Sequence, residues 1–332
     1  GKYNSLNGVA AVSAADVWAV GNYFNPGGNN LALIEHWDGT GWSAVPNSSP
    51  ADSQLLGVAA VSATDVWAVG DYGFGTGGTL IEHWDGTSWS VVSSPSPVGS
   101  ELYGVAAASA SDVWAVGDYY DSSSGNNLTL IEHWDGTSWR VVPSPNRIGA
   151  ANLLQGVATV STSDVWAVGS SSDVQFANSS QTLVEHWNGT SWQVVPSPNP
   201  VSQSSALYGV AAVSATNVWA VGGFDSTYTI PTLIEHWDGT SWHAVPGTGP
   251  VYSQFYGVAA DSATDVWTVG LYIASNNQTL TEHWNGTSWR VVPVPNLGKT
   301  TNVLVGVAAV SATDVWAVGS YGSNTLIEQY SN

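Results

Sequence analysis

Six times along the chain a carboxylate stands directly before an imidazole. The pairs are Glu35-His36, Glu82-His83, Glu132-His133, Glu185-His186, Glu235-His236 and Glu282-His283, each followed by a tryptophan. Glutamate and histidine together are the groups of general acid–base chemistry. Neighbouring residues of an extended strand, however, project to opposite faces, so the two members of a pair cannot act on one atom. They could still meet between packed units, Glu of one with His of the next. Six near-identical copies fit a set of buried, paired polar contacts better than a reaction centre, which needs one asymmetric constellation.

Other chemistries find less support. His243 is the only histidine outside the motif, so no clustered metal triad can be read. The absence of cysteine removes thiolate metal sites, disulfides and cysteine nucleophiles, and with them a galactose-oxidase-like copper centre. Sialidase chemistry wants converging arginines, but Arg140 and Arg290 occupy the same position in separate units and Arg147 lies in a loop. No nucleophile-elbow sequence marks a Ser-His-Asp triad.

The elements that place these residues are repeated. Gly-Val-Ala begins at Gly8, Gly57, Gly104, Gly156, Gly209, Gly257 and Gly306, at spacings of 49, 47, 52, 53, 48 and 49 residues. Ten residues after each glycine comes a tryptophan: Trp18, Trp67, Trp114, Trp166, Trp219, Trp267 and Trp316. Glu-His-Trp-(Asp/Asn)-Gly-Thr-(Ser/Gly)-Trp follows six times, and the seventh copy has decayed to Glu328-Gln329-Tyr330. All 19 tryptophans are thus repeat residues.

One repeat reads as four short strands. In the second, strand A is Gly57 to Val61 and strand B is Val66 to Val69; strand C is Leu80 to Trp84 and strand D is Trp89 to Val92. Asp85-Gly86 is a two-residue hairpin signal, which would set Trp84 opposite Thr87, His83 opposite Ser88 and Glu82 opposite Trp89. Four strands at a period near 50 predict an all-β fold, a seven-bladed β-propeller of four antiparallel strands per blade. The chain forms one domain, 1–332, with repeats at approximately 8–56, 57–103, 104–155, 156–208, 209–256, 257–305 and 306–332. The sequence ends just after strand C of the seventh repeat, so the last blade is expected to be three-stranded unless Gly1 to Leu6 completes it.

The order of a small apolar strand, an apolar strand ending in glycine, an aromatic-Asp turn, Trp and a Pro-rich exit resembles the kelch-type blade over the whole chain. The kelch glycine pair is present only at Gly222-Gly223, and Trp stands in place of the kelch Tyr. Asp-Gly-Thr-Ser-Trp is similar to a shortened Asp-box, and Val-Trp-Ala-Val resembles tectonin-type repeats. These resemblances imply a propeller architecture and leave the ligand open.

Charged residues make up 9% of the chain, with 25 acids against 5 bases and a net charge of −20. Such a field repels phosphates and anionic lipid headgroups, so neither nucleic acid nor membrane insertion is expected. Seventeen of the 25 acids are fixed by the repeat: the strand-C glutamates, the A–B turn set Asp16, Asp65, Asp112, Asp164, Asp265 and Asp314, and the C–D turn set Asp38, Asp85, Asp135 and Asp238. The turn aspartates are expected to bond local backbone amides. The charge is therefore mostly multiplied blade chemistry. Low charge, a Ser/Thr/Asn/Gly-rich composition and no oxidisable sulfur fit an exported bacterial protein, secreted or at the cell surface. No basic or apolar leader precedes Gly1, which fits a signal peptide already removed or left outside the sequence.

In an up-and-down ring the A–B and C–D turns share one face, and the variable B–C and D–A loops share the other. Function tends to sit on variable loops held by a rigid frame. Tyr72 and Tyr119 follow strand B there, while Tyr103, Tyr208 and Tyr256 precede the inner-strand glycine near the channel mouth. Asp71, Glu101, Asp118, Asp121, Asp173 and Asp225 add non-repeat acids to the same face. Aromatics with nearby carboxylates suit neutral sugars; the competing reading is that the tyrosines cap blade interfaces and the acids are merely solvated. The expectation is a non-enzymatic monomer that binds a glycan, or second a protein, on this face. A structural or protein-interaction scaffold is the alternative, and a glycoside hydrolase or lyase the third reading. No cofactor is implied, and a metal is left open.

Overall fold

Strand B carries no polar side chain on either face across Val66-Trp67-Ala68-Val69, and all four residues are at most 2% exposed. A strand buried on both faces must lie inside a sheet that is itself covered on both sides. The computed structural model, which describes residues 3–73, 77–173, 180–199, 204–225, 232–298 and 300–331, has this arrangement. Seven antiparallel sheets follow one another in chain order; six have strands A-B-C-D side by side, and the last has three. The chain is a seven-bladed β-propeller. In blade two the strands are Ser53–Ser62, Asp65–Tyr72, Gly78–Trp84 and Trp89–Val91.

Strand A runs four residues further back than the Gly-Val-Ala signal suggests. A bulge between Leu55 and Gly57 explains the extension, because the register slips by one residue there. Opposite the bulge stands Gly70, where an added Cβ would lie 1.9 Å from the Gln54 carbonyl oxygen. The inner strands line a narrow channel walled by the seven Gly-Val pairs from Gly8-Val9 to Gly306-Val307. Asn4 to Leu6 extend the inner strand of blade one, Asn4–Ser13, so they do not complete blade seven.

The C–D connection differs from the two-residue hairpin expected. Trp84 pairs with Trp89, His83 with Ser90 and Glu82 with Val91, which leaves a four-residue loop. Asp85 organises it: its Oδ1 accepts from Thr87 N at 2.8 Å, Thr87 Oγ1 at 2.6 Å and Ser88 N at 2.9 Å. Gly86 supplies the left-handed residue at φ +92°. The Thr87 hydroxyl, then the Ser88 and Thr87 amides, hold the Asp85 carboxyl down to about 2. Here the turn reading of the aspartates is right.

In the A–B turn it is not. Ser62 Oγ accepts the turn amide of Thr64, while Asp65 Oδ1 lies 2.8 Å from His83 Nε2 in strand C of the same blade. The same contact joins Asp16 to His36, Asp112 to His133 and Asp164 to His186. Asn217 takes the place of Asp beside His236, whose pKa is lowered by burial. In blade seven Gln329 replaces histidine and donates to Asp314 at 2.9 Å. Each imidazole lies over the strand-B tryptophan of its own blade, Trp67 and His83 being stacked at 4.1 Å.

The other side of that tryptophan meets the next blade. Trp67 contacts Trp134 at 5.1 Å and, edge-on, Trp139 at 5.4 Å. Ring closure repeats the contact, with Trp316 of blade seven 5.3 Å from Trp37 and 5.4 Å from Trp42 of blade one. The tryptophans are therefore the interface between blades.

Glu and His do not meet across that interface. Glu82 is fully buried and accepts from Ser49 Oγ at 2.8 Å, in the D–A loop of blade one. Glu282 likewise accepts from Thr248 N at 3.0 Å. Glu132, Glu185 and Glu235 are fully buried beside the hydroxyls of Ser94, Ser144 and Ser197 in the preceding blade's loop, and burial, opposed by those hydroxyls, pushes each up to about 8.

Two outcomes follow. Trp67→Ala should lower unfolding free energy by about 3–5 kcal/mol, as buried large-to-small changes do; a loss under about 1 kcal/mol in denaturant melts would contradict the interface role. The folded chain keeps protons on Glu132, Glu185 and Glu235 to about pH 8, whereas free glutamate releases them near 4.5. Their stabilisation is complete below that lower value and drains as pH rises through the folded one. The urea midpoint should therefore fall between about pH 4.5 and about pH 8 and level off above that, and changing all three to Gln should flatten the profile. An unchanged midpoint in the wild-type chain would show that these carboxyls ionise freely.

Candidate functional site

The bulged end of strand A and the residue after the strand-B glycine face each other at the channel mouth. The register pairs Gln54 with Asp71 in blade two, Glu101 with Asp118 in blade three and Gln254 with Leu271 in blade six. Because this segment lies beyond the bulge, its side chains escape the small-residue rule that packs the inner strands lower down. It can therefore carry large polar groups, different in every blade.

Blades two and three bring carboxylates together there. Asp71 is 2% exposed and accepts from Gln54 Nε2 at 2.8 Å; Asp118 is 4% exposed and accepts from Asn127 Nδ2 at 2.6 Å. The Tyr103 hydroxyl donates to Glu101 Oε2 at 2.7 Å. Burial first, then the charge of Glu101, pushes Asp118 up to about 6. Burial dominates at Asp71 as well, where Glu101 adds to it against the Gln54 bond and the result is again about 6. Glu101 therefore reads both aspartates across the blade boundary. Burial and these acids raise the Tyr103 hydroxyl, so it stays a donor.

A second group lies on blades five and six. Tyr208 and Tyr256 have ring centroids 5.5 Å apart, tilted by 43°. Tyr256 donates to Gln254 Oε1 at 2.8 Å, and Gln254 Nε2 reaches Tyr208 Oη at 3.5 Å. Gly223 makes room, since a Cβ there would come within 2.2 Å of the Gln254 side chain. Its blade-two and blade-three counterparts are Asp71 and Asp118.

The three inner-strand tyrosines thus fall into two groups, with Tyr103 among carboxylates and the other two beside an amide. Tyr119 packs against the apolar cluster between blades two and three, and Tyr272, Tyr321 and Phe224 do the same at their own interfaces. For these residues the interface-capping reading holds. Tyr72 is 39% exposed at the end of strand B. Asp225 ends strand B of blade five opposite Ser204, but its side chain lies outside the described residues. Asp121 is turn chemistry, accepting from Ser123 and Ser124. Sequence reasoning put Glu101 on this face but missed Gln54 and Gln254 as members of these groups. Their signal was the bulge, which places the residue three before each inner glycine beside the one after each strand-B glycine. Among the described residues no three His, Asp or Glu side chains form a group that could hold a metal ion.

Replacing Glu101 by Gln should lower the pKa of both Asp71 and Asp118, measured by carboxyl NMR titration. Unmoved values would mean that the acids of the two blades do not sense each other.

No family model matches the chain, and no curated protein sequence does either. Solved structures do. A structure described as YCF48 bound to D1 peptide superposes with a TM-score of 0.63 at 14% identity, covering 100% of this chain and 93% of that one. The GH74 xyloglucanase from Xanthomonas campestris gives 0.63 at 12% identity, covering 98% of this chain but 52% of the enzyme. The six-bladed fucose-recognising lectin of Aleuria aurantia gives 0.56 at 12% identity, covering 84% of this chain and 91% of the lectin. At such identities the likeness is one of fold, and what this chain shares with all three is the β-propeller.

Proposed function

We propose that the chain is a non-enzymatic binding module whose site is the channel mouth on the B–C/D–A face, with a neutral glycan as the favoured ligand. One observation carries the reading: Asp71, Glu101, Asp118 and Tyr103 converge from two blades in a buried, hydrogen-bonded group held on strand ends. Carboxyls near their titration point at neutral pH offer both donors and acceptors, the mixture that sugar hydroxyls need. Tyr208 and Tyr256 add a tilted aromatic pair elsewhere on the rim. The lectin among the similar structures recognises fucose on a propeller, which supports this ligand class.

Hydrolysis is disfavoured by the same geometry. A glycosidase holds its two carboxyls in environments that push their pKa values apart, whereas Asp71 and Asp118 are both raised to about 6 by the same causes. A protein ligand is the second reading. It is favoured by the packing of Tyr119, Tyr272 and Tyr321 into blade interfaces, which leaves fewer aromatic platforms for sugars.

A glycan array that includes neutral fucosides and xyloglucan oligosaccharides, run with and without calcium, tests the reading. A competable hit is expected. Changing Tyr103, Tyr208 and Tyr256 together to Ala should weaken it by about tenfold or more with little change in Tm. A blank array on folded protein, or a hit indifferent to the three changes, would move the function to a protein ligand.

A further inference from the structure

Each strand D leads into a loop that lies against the next blade, and five of the six loops open with proline. Pro46, Pro143, Pro196, Pro246 and Pro293 each follow the last apolar residue of their strand, whereas the loop after blade two reads Val92-Ser93-Ser94-Pro95. Proline brings a rigid ring at a fixed backbone angle. Ser93 therefore marks the one loop from which that ring is missing.

The place of the ring in the repeat is beside an aromatic of the following blade. Pro293 shares a cavity wall with Tyr330, which stands at the repeat position of Trp134. Between blades two and three the same place is open. A groove of about 520 Å³ runs there, with Ser93, Ser94 and Pro95 on one side and Trp134, Ser138 and Trp139 on the other. Its size lies within the about 300–1,000 Å³ of small-ligand pockets. The walls are held firmly. Trp134 donates from Nε1 to the Ala110 carbonyl at 3.3 Å, and its ring packs 5.1 Å from Trp67 and 6.0 Å from Trp139. Ser94 bonds Thr79 at 2.9 Å, and the Ser138 amide donates to Asp135 at 3.0 Å.

The groove is lined by indoles, hydroxyls and a proline, with no charged side chain among them. It therefore selects a neutral, ring-bearing group. Hydrogen-bond donors surround it. The hydroxyl-bearing Ser93 and Ser138 are exposed, and Trp139 Nε1 finds no acceptor among the described residues. Backbone groups on the adjoining strand add to these. Before blade two, Ser48 Oγ accepts from Val91 N at 3.1 Å and donates to the Trp89 carbonyl at 3.4 Å. The residue at Ser48's place before blade three is Pro95, which has no hydroxyl to give Val141 N or the Trp139 carbonyl. Rigid rings and free carbonyls are what such a surface can hold. A polyproline II segment has both, since its backbone makes no internal hydrogen bonds, and aromatic-lined grooves are where such segments dock.

We propose that the groove between blades two and three binds a proline-rich, extended segment of another protein. One proline ring of the ligand takes the place that Ser93 leaves open and lies against Trp134. The Ser138 hydroxyl and the Val141 amide donate to the ligand's carbonyls. The net charge of −20 favours a basic residue beside the prolines. Outer strands and a D–A loop build this site, whereas inner strands build the channel mouth, so the two stand or fall independently.

The test uses the whole 332-residue chain and a fluorescently labelled hexaproline peptide with a C-terminal arginine. Anisotropy should show saturable one-to-one binding, and a Gly-Ser peptide of the same length and charge should bind at least about tenfold more weakly. Ser93→Pro, which gives loop two the residue of the other five, should weaken hexaproline by about tenfold or more and melt no earlier than wild type. Pro143→Ser supplies the reverse change. It gives loop three the Val-Ser-Ser-Pro order of loop two, opposite Trp187, Ser191 and Trp192 at the positions of Trp134, Ser138 and Trp139, and should raise the stoichiometry to two. No saturable binding, equal binding of the Gly-Ser peptide, undiminished binding to a folded Ser93→Pro chain, or a stoichiometry still at one in Pro143→Ser would overturn the proposal. Methyl β-glucoside shifting the Trp134 and Trp139 indole NMR signals where hexaproline does not would overturn it in favour of a sugar.

Discussion

Each blade is locked to the next by one tryptophan, and the architecture depends on that contact. Trp67 is clamped between the imidazole of its own blade and two indoles of the following one. Burying a ring of that size removes about 150–250 Å² from water, roughly several kcal/mol before entropy. The histidine that flattens one face is itself held by the aspartate two residues before the tryptophan. The acid–base vocabulary of the sequence thus serves orientation: Asp fixes His, His backs Trp, and Trp fixes the neighbouring blade. Six near-copies of this unit give a ring whose strand ends are rigid enough to carry something else.

What they carry is polar and different in each blade. Below the bulge, small residues are enforced by the close approach of the inner strands; above it, side chains as large as Tyr103 and Gln254 fit. The bulge therefore divides every inner strand into a structural part and a part free to vary. Burial then acts on that free part in two ways. It excludes water from Asp71 and Asp118, raising both carboxyls, and it leaves Glu101 near enough to couple them. The same desolvation acts on Glu82, Glu132, Glu185, Glu235 and Glu282, but those face a neighbouring blade and are fully buried.

The blade plan was legible because it rests on local rules: glycine spacing, apolar runs, and an aspartate that nucleates a turn. The register of the C–D connection was not, because Asp-Gly signals both a two-residue hairpin and a longer loop in which Asp85 caps two amides. The partners of Asp65 and Glu82 were misread for a different reason. Both contacts join residues 18 to 33 positions apart across strands or blades, and periodicity fixes which face a side chain takes without fixing whom it meets there. At the channel mouth the face assignment of Tyr103, Tyr208 and Tyr256 was readable, since each precedes an inner glycine. Their division into an acidic group and an aromatic–amide group was not, because it depends on the bulge bringing Glu101 and Gln254 alongside.

The seam between blades six, seven and one shows how unevenly a ring of near-identical units can be held. Blade seven meets blade one through the full set, Trp316 against Trp37 and Trp42. It meets blade six through Leu304, Ala317 and Leu326 packed with Val269 and through a single aromatic ring, Tyr330 on Trp267, beside a cavity. Val294 stands where three other loops place Ser94, Ser144 and Ser197, so Glu328 lacks the hydroxyl that these give the glutamates of the next blades. Cavities and unpartnered polar groups both weaken packing, and here they coincide at one blade interface. The six–seven interface is therefore where the described ring should open first.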